Sequence, residues 1–374
     1  MLFGDIIGQK DIKQRLLHEY EQGRIPHALL FCGPEGCGKL PMALAYACYL
    51  LCERPNGTER CNTCPACFKL DKLVHPDLHF VFPVIKKGSA KEATSDLFLP
   101  EWRNLLTHSA YIDSNSWLEA MGAENQQALI YAAESDEIRR KLMLKSSEGG
   151  RKIMIIWQAE RMNVQAANKL LKLLEEPPAD TVFILISNEP ERLLSTITSR
   201  TQRITFHKLS DDEISVALQQ RNGLSEEDAR HIARTVNGNY TAALKAISTR
   251  KDEDIFFDSF TSLMRLSYQR KIKDMMEWSE EVASWGRERQ KHFLDYCQRL
   301  IRENFIYNFH RPELNYLSTE EARFSTRFAR FVNERNVIGI SEELATAQRD
   351  IEQNVNPKMV FFDFSLKMIV LLIQ

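Results

Sequence analysis

The stretch Gly33-Pro34-Glu35-Gly36-Cys37-Gly38-Lys39 constrains this chain more than any other, because a loop of that pattern works only between a strand and a helix. In such a loop, backbone N–H groups and a helix N-terminus cradle phosphates, and the lysine reaches the terminal oxygens. The flanks agree: residues 27–32 form a short apolar run that reads as a strand, and residues 40–51 follow as a helix. The final motif position departs from the pattern. A Ser or Thr hydroxyl there holds Mg²⁺ in a working site, and Leu40 offers no ligand.

Further strands are predicted at residues 79–85, 153–157, 181–187 and 203–206, with helices at 11–22 and at 164–176, the latter ending at Pro177-Pro178. Alternating strands and helices predict an α/β fold, a doubly wound parallel sheet. Ser210 with Glu213, and Ser225 with Asp228, are helix-opening pairs. Gly238 precedes a third short helix at 241–247, and the three read as a small helical lid. From residue 252 the pattern is helical throughout, broken only by Pro312 and Pro357. The expected organisation is a core at 1–207, a lid at 208–250 and an all-α domain at 251–374. The core would carry a cysteine module at about 52–67 and an insertion at about 86–127, loop-like over 86–91 and then a helical excursion.

The 374-residue length suggests two or three domains, and 44% hydrophobic with 27% charged residues fits an ordinary globular protein. A net charge of −2 leaves no overall basic field, so any nucleic-acid contact would be local. Met1-Leu2-Phe3-Gly4-Asp5 does not open a signal peptide, and residues 359–374, which include Asp363 and Lys367, read as a buried helix too short to span a bilayer. The expectation is a cytoplasmic protein.

Seven of the eight cysteines lie between Cys32 and Cys67. Cys61, Cys64 and Cys67 stand at two-residue gaps, a spacing that lets thiolates wrap one tetrahedral zinc. Arg60, Asn62, Thr63 and Pro65 make the stretch too polar for free core cysteines. Cys48 and Cys52 share one helical face; Cys52 is nearer the loop, and spacing alone leaves either as the fourth ligand. Cys32 and Cys48 otherwise read as small buried residues. Four cysteine ligands close the site, which makes it structural.

An acidic motif is missing. After the run Ile153-Met154-Ile155-Ile156, where a nucleotide hydrolase places carboxylates for metal and water, come Trp157 and Gln158. Glu160 reads as a surface charge, the charged helix at 134–145 as a solvated face, and Met143, Met154 and Met162 as packing residues.

Leu170-Leu171-Lys172-Leu173-Leu174-Glu175-Glu176-Pro177-Pro178, then Ile186-Ser187-Asn188-Glu189-Pro190-Glu191-Arg192, then Ile197-Thr198-Ser199-Arg200 resemble the bacterial clamp-loader branch of AAA+ proteins. So do Ile7-Gly8-Gln9 and the cysteine spacing. The resemblance implies an AAA+ core with a lid and a C-terminal helical collar, and it makes Cys52 the fourth ligand of a structural zinc with Cys61, Cys64 and Cys67. It implies a non-hydrolysing subunit, since Leu40, Trp157 and Gln158 lack metal ligands and Thr241 stands where active members carry a sensor arginine. Gly33, Gly36, Gly38 and Lys39 would then hold ATP or ADP, if anything, without turnover. Arg200, with Lys172 as a weaker second, would act in trans at the ATP site of a gamma/tau neighbour. The implied partners are gamma/tau and delta subunits of DNA polymerase III in a ring of five, and through them the sliding clamp and primed DNA. Two rivals stand beside this: a gamma/tau-like ATPase with unusual metal ligands, in which Glu160 or another carboxylate replaces the lost acidic pair, and a zinc-containing nucleic-acid-binding module, which the charge balance disfavours.

Overall fold

Five runs rich in branched and aromatic residues pair into one parallel sheet: β1 (Ala28–Cys32), β2 (Leu78–Val81), β3 (Lys152–Trp157), β4 (Thr181–Ser187) and β5 (Gln202–Thr205), in the order β2-β3-β4-β1-β5. The computed structural model describes residues 1–86, 93–123, 126–148, 150–309 and 317–373. Every residue of β1, β3 and β4 is buried, as expected of a parallel sheet covered on both faces.

Strand alternation sorts the side chains between two cores. Leu29, Phe31, Ile153, Ile155 and Ile184 pack with α1 (Lys10–Glu21) and α2 (Lys39–Leu50). Leu30, Met154, Ile156, Phe183 and Leu185 belong to the opposite core. Between β1 and β3 lie α3 (Pro65–Asp71), α4 (Leu99–His108), α5 (Ser114–Ala120) and α6 (Ala132–Met143). Then α7 (Val164–Glu175) follows β3, and α6 and α7 supply Ile138, Leu142, Ala166 and Leu170 to the second core. A one-turn helix, α8 (Ser195–Thr198), leads into β5. β2 stops at Val81, short of the predicted 85, because Pro83 cannot donate to the ladder.

The stretch predicted as an insertion is built on this sheet edge. Beyond residue 86, its loop-like segment at 86–91 lies outside the described residues. From residue 93 it forms a 3₁₀ turn (Ser95–Phe98), α4 and α5. Trp102 stacks on Phe82 at 4.3 Å between ring centroids and meets Trp117 edge-on at 5.1 Å; all three rings are buried. The Trp117 indole donates to the Pro83 carbonyl at 2.7 Å.

Glu134 of α6 anchors the stretch's start and corrects the reading of that helix as a solvated face. Its Oε2 accepts from the backbone N–H and hydroxyl of Ser95 at 2.6 and 3.0 Å, and burial pushes its carboxyl up to about 7. Met143, expected to pack, is exposed at the end of the same helix.

Two capped helices, α9 (Asp211–Asn222) and α10 (Glu226–Thr235), follow β5; Ser210 and Ser225 each accept the N–H three residues on. Next comes α11 (Tyr240–Gln269), which runs far past the predicted end at 247 because neither Gly nor Pro interrupts residues 240–269. The chain divides into two compact units, Met1–Ala246 and Ile247–Gln374.

The second unit is helical: besides the remainder of α11 it holds α12 (Ile272–Ala283), α13 (Arg287–Tyr307), α14 (Thr319–Phe328), α15 (Val337–Glu352) and α16 (Pro357–Leu371). Pro312 lies outside the described residues. Phe260, Trp278, Phe293 and Phe361 centre its core. The apolar C-terminal helix is not buried all round: Phe361, Phe364 and Met368 face the core, while Met359 and Val370 are exposed. Among the described residues no helix is long and apolar enough to cross a membrane.

Candidate functional site

The glycine loop turns from β1 into α2 as its sequence requires. Gly36 and Gly38 both sit at positive φ, +70° and +98°, which side-chain-bearing residues rarely adopt. A Cβ on Gly36 would also collide with Asn239, whose Oδ1 would lie 1.9 Å away. The loop is closed on itself. Lys39 Nζ donates to the carbonyls of Gly33 at 2.6 Å and Pro34 at 2.5 Å. Burial lowers the lysine's pKa, and Cys37 and Glu160 oppose that shift. Leu40 points into the first core with Phe31 and Ile155.

The positions where carboxylates are missing face the helical stretch on the sheet edge. Trp157 meets Trp102 at 5.2 Å, and the Gln158 amide donates to Ser114 Oγ at 2.6 Å. Glu160, read from sequence as a surface charge, is half-buried: its Oε1 accepts the Asn188 N–H at 3.1 Å, and its Oε2 is buried without a hydrogen-bond partner. Between Lys39, Gln158, Asn188 and Thr241 on one side and Tyr111 and Ile112 on the other, the remaining cavity is about 30 Å³. That is room for about two waters at ~15 Å³ each, against roughly 300 Å³ or more for small-molecule sites. In this arrangement the loop's residues do not fit a nucleotide.

The sequence reading missed Tyr111, Asp113 and Ser114, which carry no motif. The available signal was tryptophan: three of the five in the chain, Trp102, Trp117 and Trp157, belong to this one cluster.

At the cysteine module, Cys52, Cys61, Cys64 and Cys67 bring their Sγ atoms within 4.8 Å of one another. Cys67 Sγ lies 3.7 Å from Cys52 Sγ and 3.9 Å from Cys61 Sγ. Tetrahedral zinc with Zn–S bonds of ~2.3 Å separates its sulfurs by about 3.8 Å, so the donor set fits that metal. Cys64 caps α3 by accepting the Cys67 N–H, and Arg60 pairs with Asp71 at the other end of that helix. Cys48 is buried in α2, outside the cluster.

Arg200 lies between α8 and β5. Its guanidinium bonds the Thr196 carbonyl at 3.1 Å and pairs with Glu175 at 2.7 Å; both side chains are partly exposed. Lys172, exposed, stands one helical turn before Glu175, so the fold brings the two predicted cations to one place. Strand register puts Leu29 beside Gln202 and Cys32 beside Thr205. Arg200 therefore sits at the end of the sheet opposite the chain's own phosphate loop, separated from it by at least the length of β5, roughly 13 Å at ~3.3 Å per residue.

A five-stranded parallel sheet with a glycine loop and lysine at the β1–α2 turn defines an α/β protein of the P-loop class. The family described as DNA polymerase III, delta subunit, matches residues 8–210, more than half of the chain, and the chain belongs to that family. It is 29% identical over 258 residues to DNA polymerase III subunit delta' of Bacillus subtilis (strain 168), covering 69% of this chain and 64% of the relative. Over 174 residues it is 37% identical to DNA polymerase III subunit delta' of Pseudomonas aeruginosa, covering 46% and 41%. The matches thus span less than two thirds of these relatives' lengths. Among solved structures, a DNA polymerase III gamma subunit-related protein from Thermotoga maritima aligns over 97% of this chain and 99% of its own, at 16% identity and a TM-score of 0.35.

Proposed function

We propose that the chain is a non-hydrolysing subunit of the bacterial DNA polymerase III clamp loader, and that Arg200 serves the ATP site of a neighbouring gamma/tau subunit. The observation that carries this reading is the separation of Arg200 from its own phosphate loop by the length of the sheet. A planar, permanently charged fork at that edge is matched to γ-phosphate oxygens that only another subunit can present. Lys172 is the second cation of the same edge. The loss of metal ligands at Leu40, Trp157 and Gln158 explains why this chain's contribution is made outside its own cleft.

In this reading residues 251–374 form the collar that joins gamma/tau and delta subunits into a ring of five, which places the sliding clamp on primed DNA in the cytoplasm. Zinc at Cys52, Cys61, Cys64 and Cys67 is structural. A gamma/tau-like ATPase drawing on Glu160 is disfavoured, because that carboxylate is already engaged by the Asn188 backbone.

The test is Arg200→Ala in the reconstituted complex. Turnover at the site it serves should fall by about 10³-fold, the worth of an arginine finger, with assembly intact. Unchanged turnover removes the trans role. Magnesium-dependent ATP turnover by the purified chain, abolished by Lys39→Ala, would make the ATPase reading correct instead.

A further inference from the structure

We propose that residues 93–123 are a built-in plug, which fills the cleft over the phosphate loop and ties the core to the lid where a nucleotide would otherwise do so. The inference concerns this chain alone and does not depend on the role of Arg200.

The plug's contacts fall on the positions that set an ATPase apart from this chain. Trp157 and Gln158, standing where metal carboxylates are missing, meet Trp102 and Ser114. Arg161, one turn further on, also donates to Ser114 Oγ at 3.3 Å. The altered metal side and the plug are two halves of one interface. On the phosphate side, Ala110, Tyr111 and Ile112 are buried against the loop; the Tyr111 hydroxyl would lie 3.4 Å from a Cβ on Gly38 and accepts the Ile7 N–H at 3.0 Å.

The lid side is engaged as well. The Tyr111 ring meets Tyr240 edge-on at 4.8 Å, and Asp113 pairs with Lys245 at 2.6 Å. Both partners lie in the first turns of α11. Tyr240 in turn donates its N–H to the Gly36 carbonyl at 3.2 Å, so loop, plug and lid form one closed set of contacts.

This is no loose flap. Trp102 and Trp117 root it in the core, and Ser95 is bonded to buried Glu134. A segment held that way has no inexpensive open state, because opening it exposes aromatic surface. The relation of core to lid is therefore fixed by the chain itself, and neither ATP nor ADP changes it.

Hydrogen exchange on the full chain tests this. With MgADP or MgATP at about 1 mM, exchange at residues 33–40 and 208–246 should be unchanged. Tyr111→Ala should raise exchange in α9, α10 and the start of α11 about tenfold, and Tyr111→Phe, which keeps the ring, by no more than about threefold. Lys245→Ala, at a partly exposed side chain, gives a second route to the same readout if Tyr111→Ala folds poorly; it should raise lid exchange about threefold. Protection of residues 33–40 by MgADP in the wild type overturns the proposal. So does lid exchange that none of these variants alters.

Discussion

At the cysteine module four sulfurs converge at the spacing one metal ion demands; at the phosphate loop the space a ligand would need is taken by Tyr111 and Ile112. Both stretches carry a strong sequence signature, yet they mean different things. Four thiols drawn into one cluster gain little from each other, whereas a shared metal would bond all four. The glycine loop has other reasons for its shape: Gly33 lies against Phe206, and Gly36 against Asn239, so contacts with protein alone sustain the turn. A metal motif specifies its ligand, whereas a loop motif specifies a backbone path.

The largest expected effect lies at the metal. Cys67→Ser should reduce zinc from one per chain to near zero and lower Tm by roughly 10 °C, while Cys48→Ser keeps full zinc. Elemental analysis with thermal melts reads both, and full zinc in Cys67→Ser would erase the contrast between the two regions. Leu40→Ser, which restores the hydroxyl, should destabilise the chain by about 3 kcal/mol through loss of a buried side chain and yield no ATP turnover. Turnover in that variant would show that the cleft opens.

The smallest effect concerns the plug's anchor. Glu134, near Lys141 and Asp96, has a folded-state pKa of about 7 against an ordinary 4.5. The protonated form is thus favoured in the fold. Its stabilising contribution is fully present below about pH 4.5 and is lost as pH climbs through about 7. Between about pH 5 and pH 8 the wild type should lose about 2–3 kcal/mol relative to Glu134→Gln, measured by denaturant unfolding. Parallel pH profiles would mean that the carboxyl is not held as described.

Local pattern made much of the fold legible. Apolar runs marked the strands to within a few residues, Ser210 and Ser225 marked their helices, and the four cysteines were identified with the help of the family resemblance. What pattern missed depends on contacts between distant segments. Glu134 and Glu160 look like ordinary surface acids until Ser95 and the Asn188 backbone, 39 and 28 residues away, are brought to them. The length of α11 was missed for another reason: the helix was expected to stop at 247, but residues 240–269 hold no Gly or Pro to break it.

The seat of Asn239 on Gly36 has a consequence for how such chains are counted. Any side chain at position 36 would strike Asn239, so the glycine there is held by sterics that involve protein atoms alone. A signature kept that way records how the backbone packs, so glycines and a lysine in this order do not by themselves count a chain among the nucleotide hydrolases.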